Sequence, residues 1–191
     1  MARRYPLWMG LVLLGVFGVL QTPTQAKVSV QNNFQQVEFL GEWFTVGLAS
    51  NWTWFREKKG LSMCRSIVDS SEDGSLNLTF TFARKDKCKT WSLVLQPEGP
   101  SGHYTYQNPH WGSALEFSVV ETDYANYALL CTEGLKTSGH YVRIISLFSR
   151  TQTPRTEFKE KFIALTKILL PFTEDSIVFL SPSDKCMEEH N

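Results

Sequence analysis

The sequence carries no net charge, with 19 Lys and Arg set against 19 Asp and Glu. That balance gives no basic surface of the kind nucleic acid requires, and no block of like charge forms a solvated tail. Only one apolar run is long, and it lies at the N-terminus. No later segment reaches the about 20 apolar residues that a bilayer-spanning helix needs. No Cys-x-x-Cys is present to build a structural zinc site, and no metal ligands are assigned. The nucleophile elbow Gly-x-Ser-x-Gly, a Gly-rich phosphate loop and the zinc pair His-Glu-x-x-His are also missing. The acids lie scattered in turns and in one helical stretch, with no pair placed for glycoside or proton chemistry. No repeat, linker or low-complexity tract divides the chain.

The long apolar run belongs to a leader. Arg3 and Arg4 precede the uncharged stretch from Leu7 to Leu20, and Gln21-Thr22-Pro23-Thr24-Gln25-Ala26 then ends on a small residue. This is the layout of a secretory signal peptide, so residues 1–26 are expected to be removed and 27–191 to form one domain. Two basic residues leave with the leader and no acidic ones, giving an expected net charge of 17 − 19 = −2. Secretion through the endoplasmic reticulum and Golgi makes disulfides available. Four cysteines, Cys64, Cys88, Cys131 and Cys186, could pair in three ways if both bonds formed, and spacing does not choose. The sequons Asn51-Trp52-Thr53 and Asn77-Leu78-Thr79 are expected to carry glycans, which would fix both asparagines on the outside.

Short strand-like runs fill the body of the chain: 43–49, 62–68, 76–83, 90–95, 103–106, 115–120, 127–131 and 141–148. Turn signals such as Asp73-Gly74, Asn108-Pro109 and Ser138-Gly139 separate them, which predicts an all-β meandering barrel or sandwich. A helix follows, with Thr153 as its expected cap, Pro154 in its first position and Pro171 as its stop. Phe158, Phe162, Leu165 and Leu169 form one apolar stripe, expected to pack on the barrel wall. A last strand is expected at 177–180.

Side-chain alternation assigns the faces. With Asn77 outside, Leu78, Phe80 and Phe82 point inward. Val142, Ile144, Ser146 and Phe148 form a similar row, with Tyr141, Arg143 and Ile145 on the other face. Tyr106 and Leu130 join the candidate lining, although core packing predicts the same residues. Counting from Leu130 turns Cys131 outward, where it reads as a covered thiol and is not expected to pair with Cys64 on the opposite face. Trp54, His110 and Trp111 lie in or near loops, at the expected cavity mouth. Cys64, in the second strand, is the decisive residue. A lone cysteine on a strand is usually an inert core residue. A thiol aimed into an apolar cavity would instead act on a hydrophobic substrate.

Three motifs, in order on this layout, resemble the lipocalin family. Gly41-x-Trp43 is similar to its first signature at the closed barrel end, and Thr122-Asp123-Tyr124 to its second. Arg150 matches the arginine that covers the first tryptophan. Within the family the chain is most similar to the prostaglandin D synthase branch. Phe39-Leu40-Gly41-Glu42-Trp43-Phe44, Arg56-Glu57-Lys58-Lys59, Pro109-His110-Trp111-Gly112-Ser113 and Asp184-Lys185-Cys186-Met187 carry that similarity, which runs the length of the chain.

The resemblance implies an eight-stranded antiparallel up-and-down barrel with a C-terminal helix on its wall. It implies that Cys64 is the catalytic thiol, that Cys88 and Cys186 form a disulfide, and that Asn51 and Asn77 are glycosylated. The implied reaction is isomerisation of prostaglandin H2 to prostaglandin D2, an intramolecular oxidoreduction that needs no cofactor. Retinoids and bile pigments are implied as further ligands, and a monomer is expected. In the family, four hydroxyl-bearing positions surround the cysteine. Thr45 and Ser66 match two of them and are expected to hydrogen-bond the thiol. Phe80 and Phe148 occupy the others and can donate nothing, so turnover below the family norm is expected. The alternative is a non-catalytic extracellular carrier of small hydrophobic molecules on the same scaffold.

Overall fold

The computed structural model describes residues 26–52, 61–84, 87–109, 112–171 and 174–187. Residues 1–25, and Trp54, His110 and Trp111, which the sequence reading put at the cavity mouth, lie outside them. A short helix α1 (Gln36–Phe39) leads into β1 (Gly41–Ser50). There follow β2 (Cys64–Ser70), β3 (Leu76–Arg84), β4 (Lys87–Pro97) and β5 (His103–Asn108). β6 (Ser113–Thr122), β7 (Tyr127–Leu135) and β8 (Tyr141–Ser149) complete the meander. Each strand pairs antiparallel with the next, and β1 pairs with both β2 and β8, which closes eight strands into a barrel. Helix α2 (Thr156–Leu169) packs outside, and β9 (Ile177–Phe179) pairs with β1 at Gly47–Ala49. No helix among the described residues is long and apolar enough to cross a membrane.

Two apolar clusters follow from the alternation. Trp43, Phe39, Leu78, Tyr104, Phe117 and Val119 pack inside, towards the α1 end. Phe44, Val46, Ala49, Cys131, Ile145 and Leu147 face outward and meet Phe158, Phe162 and Leu169 of α2. A bulge at Val46 shifts the β1–β8 register, so Thr45 and Leu48, three residues apart, both face the interior. Gly47 lets the helix come close, since a Cβ there would sit 3.2 Å from the Phe162 ring.

The helix begins later than its sequence signals suggest. Arg155, not Thr153, is the flanking residue, and Pro154 precedes the first turn instead of occupying it. The carbonyl of Thr153 accepts a hydrogen bond from the Thr151 hydroxyl, so Thr153 belongs to the preceding turn. Leu165 is only half-buried, and Thr166 takes the fully buried place, its hydroxyl donating to the Phe162 carbonyl. Pro171 does end the helix. Arg143 crosses from β8 to cap it, donating to the Leu169 carbonyl at 2.9 Å while paired with Glu133. The disulfide joins Cys88 on β4 to Cys186 in the C-terminal tail.

Arg150 seals the closed end. Its guanidinium stacks 3.6 Å from the Trp43 ring and donates to the carbonyls of Tyr124, Glu42, Leu40 and Glu38. Replacing Arg150 by Ala leaves those carbonyls short of a donor and uncovers the indole. The expected loss is about 2–4 kcal/mol in urea unfolding, since hydrogen bonds from charged groups are the stronger ones. Arg150→Lys should recover less than half of that, because one ammonium cannot reach four acceptors. Unchanged stability in both variants would contradict this role.

Candidate functional site

A cavity of about 340 Å³ occupies the barrel, lined by residues from all eight strands. Of the residues expected there, Thr45, Cys64, Phe80, Phe82, Tyr106, Leu130, Ile144 and Phe148 lie on its wall. Leu78 points inward as expected but sits in the packed inner cluster, off the wall. Trp54 and Trp111 fall outside the described residues. Ser146, read from the sequence as part of the inward row of Ile144 and Phe148, is on the wall too. The wall also includes Leu48, Trp91, Leu93, Asn108, Phe117 and Thr132, which sequence reasoning did not assign to it. Trp91 and Leu93 were signalled by alternation on β4.

Cys64 opens β2, and the register sets its surroundings. Cys64 is opposite Thr45, and Thr45 is in turn opposite Phe148 on its other side. One row nearer the closed end, Ser66 lies between Trp43 and Phe80. The rings of Phe80 and Phe148 meet edge to face at 6.4 Å, and Phe80 stacks on Trp91 at 5.9 Å. Phe148 also approaches Trp43, at 6.5 Å. Aromatic surface therefore runs from the closed-end plug to β4, with the thiol beside it.

The hydroxyl partners expected for the thiol are not made. Thr45 Oγ1 and Ser66 Oγ are both buried without any hydrogen-bond partner. Cys64 Sγ instead points to the Ser62 carbonyl at 3.8 Å, a long and weak contact. By register Thr45 lies beside Phe148, and Ser66 between Trp43 and Phe80, so aromatic rings neighbour both hydroxyls. Burial then acts unopposed and pushes the Cys64 thiol up to about 11. At pH 7 a thiol of that pKa is ionised in about one molecule in ten thousand. Cys131 is fully buried on the outer face, in the cluster that includes α2, and burial with Glu133 nearby raises its pKa too. Its position is the covered, outward one read from the sequence.

Asn51 and Asn77, the expected glycosylation sites, are both half-exposed. The Asn51 carboxamide spans the end of the β1–β8 ladder, donating to Tyr141 O and accepting from Arg143 N. Asn77 Nδ2 donates to Ser71 Oγ at 2.8 Å. Each primary amide has two N–H groups, so one remains after a sugar is attached.

The sequence pattern of the Lipocalin / cytosolic fatty-acid binding protein family matches residues 40–184. Over 195 aligned residues, the chain is 60% identical to Prostaglandin-H2 D-isomerase of Equus caballus, covering all of both chains. It is 57% identical to the protein of that name from Bos taurus, again over the whole of both. The Mus musculus protein is 54% identical across 99% of this chain and 100% of its own length.

The buried thiol sets a clear pH dependence. Alkylation of native protein by iodoacetamide, mapped to Cys64 by peptide mass, should quicken about tenfold per pH unit between 7 and 10. A rate that levels off near pH 8.5, the value for a free thiol, would contradict a desolvated Cys64 thiol.

Proposed function

Because the chain belongs to the lipocalin family, we propose that its cavity isomerises prostaglandin H2 to prostaglandin D2 through the Cys64 thiolate. One observation carries this: a free thiol lies on the wall of an aromatic cavity, in a chain that matches enzymes named for the reaction throughout its length. The chemistry suits a polarizable sulfur. The thiolate attacks the endoperoxide oxygen at C11, forming an S–O bond and breaking the O–O bond. The electron pair moves to the C9 oxygen, which takes a proton. Loss of the C11 hydrogen then forms the ketone, breaks the S–O bond and returns the thiolate, so no cofactor is consumed. Thr45 Oγ1 sits opposite Cys64 with no protein partner, and its hydroxyl is free to donate to an oxygen developing in the cavity.

Turnover is low for the family. The thiolate is rare because Phe80 and Phe148 surround it with rings and Thr45 and Ser66 leave it unsolvated. The same apolar wall suits small lipophilic ligands at large, and retinoids and bile pigments are among those it carries. The protein is exported through the endoplasmic reticulum and Golgi, with residues 1–26 removed and glycans on Asn51 and Asn77. The charged-then-apolar leader, the Cys88–Cys186 bond and the half-buried asparagines of both sequons support this. It acts as a monomer. Support comes from Cys131, which is buried and offers no surface thiol for an intermolecular bond.

Purified protein should form prostaglandin D2 from prostaglandin H2 above the spontaneous background. Phe80→Ser with Phe148→Tyr should raise that turnover about three- to tenfold. A thiol pKa lowered by one unit gives about ten times more thiolate, each about threefold less nucleophilic. Product at background level from both proteins, with retinoid binding intact, would make this a carrier. Product from the wild type with no gain in a folded double variant would remove the hydroxyl argument alone.

A further inference from the structure

The barrel wall is incomplete on one side. β4 and β5 pair at Gln96–Thr105 and Pro97–Tyr104. The same register would place Leu95 against Tyr106, Val94 against Gln107, Leu93 against Asn108 and Ser92 against Pro109. None of these four pairs, all of described residues, forms. Pro109 has no N–H to give such a ladder. Each strand is nevertheless held on its far side, β4 by β3 from Leu95 to Lys87 and β5 by β6 from His103 to Asn108. The strands are intact and the seam between them is open.

A cleft of about 470 Å³ fills the seam. Its lining takes the inward side chains Trp91, Leu93 and Tyr106 together with the outward Val94, Thr105 and Gln107. Successive strand residues face opposite sides of a sheet, so a cleft lined by both sets crosses the wall. Trp91, Leu93 and Tyr106 also line the central cavity, which makes the two spaces neighbours across three shared side chains. The cleft exposes apolar surface on both of its sides: inward Trp91 is 40% exposed and outward Val94 51%.

Size favours an occupant that uses both spaces. The cavity's 340 Å³ lies near the lower end of ligand sites, which run from roughly 300 to 1,000 Å³. We propose that the cavity and the β4–β5 seam form one bent channel, and that the flexible hydrocarbon chain of a single-chain lipid seated in the cavity passes out between Trp91 and Tyr106. This rests on the cavity being a lipid site and adds a second way through its wall.

Spin-labelled stearate tests it on the wild-type protein, with the nitroxide at carbon 16 in one sample and at carbon 5 in another. One of the two positions should broaden the amide signals of Val94, Thr105 and Gln107, and the other should leave them sharp. Broadening at Leu130 and Ile144 with none at the seam from either label would overturn the channel, as would no broadening anywhere. Thr105→Trp, on the outer lip and off the cavity wall, supplies an independent arm. It should weaken stearate about tenfold, the loss of roughly two buried methylenes, and leave decanoate unchanged. Equal stearate affinity in the folded variant would overturn the channel. Prostaglandin H2 turnover, read in the same preparations, separates either failure from failure of the isomerase itself.

Discussion

Arg150 and Trp43 hold the closed end of this barrel, and the position of every other functional group is measured from that contact. The indole lies under the guanidinium and donates from Nε1 to the Phe39 carbonyl at 2.8 Å, while Arg150 gathers carbonyls from α1, β1 and the β6–β7 loop. Three parts of the chain, the α1–β1 corner, the β6–β7 loop and the end of β8, are thereby tied together. β1 leaves that junction with a set height and rotation, and Thr45 follows Trp43 by two residues on the same face. The register then places Cys64 and Phe148 on either side of Thr45. The site is carried on strands whose origin is locked, which suits chemistry that tolerates little displacement.

Binding and reactivity pull against each other in such a cavity. Apolar, aromatic walls favour a hydrophobic ligand by removing its surface from water. The same walls disfavour a charged sulfur, and here nothing among the described residues offsets that burial for Cys64. Phe80 and Phe148 bring this conflict to a head, since they build ring contacts with Trp91 and Trp43 where hydroxyls would solvate the thiolate. In the proposed reading, carriage and slow isomerisation are two outcomes of one wall, and how often the thiol ionises sets which dominates.

Much of the fold was legible because side chains alternate between faces along most of each strand. The strand centres, the inward row ending at Phe148, the outward Cys131 and the pairing of Trp43 with Arg150 all follow from face, order or motif. Height along the barrel was not legible, since a two-residue period gives a face but no level. Leu78 was therefore placed on the cavity wall when it lies in the packed inner cluster, and Ser66, two residues along from Cys64 as read, makes no hydrogen bond to the thiol. The bulge at Val46 leaves no mark in composition, and it alone brings Leu48 to the wall. The helix start was misplaced because Thr153 and Pro154 look like a cap in isolation, yet Thr153 is engaged by Thr151. Trp91 and Leu93 could have been found by alternation, but the open seam beside them is a property of two strands together.

Prostaglandin D2 formation by Cys64→Ala, measured beside the wild type in protein that still binds retinoid, bears most directly on the thiol. Product from the wild type and only the spontaneous background from the variant is the predicted result. Equal product from the two proteins would contradict it and leave Cys64 as a residue of the cavity wall.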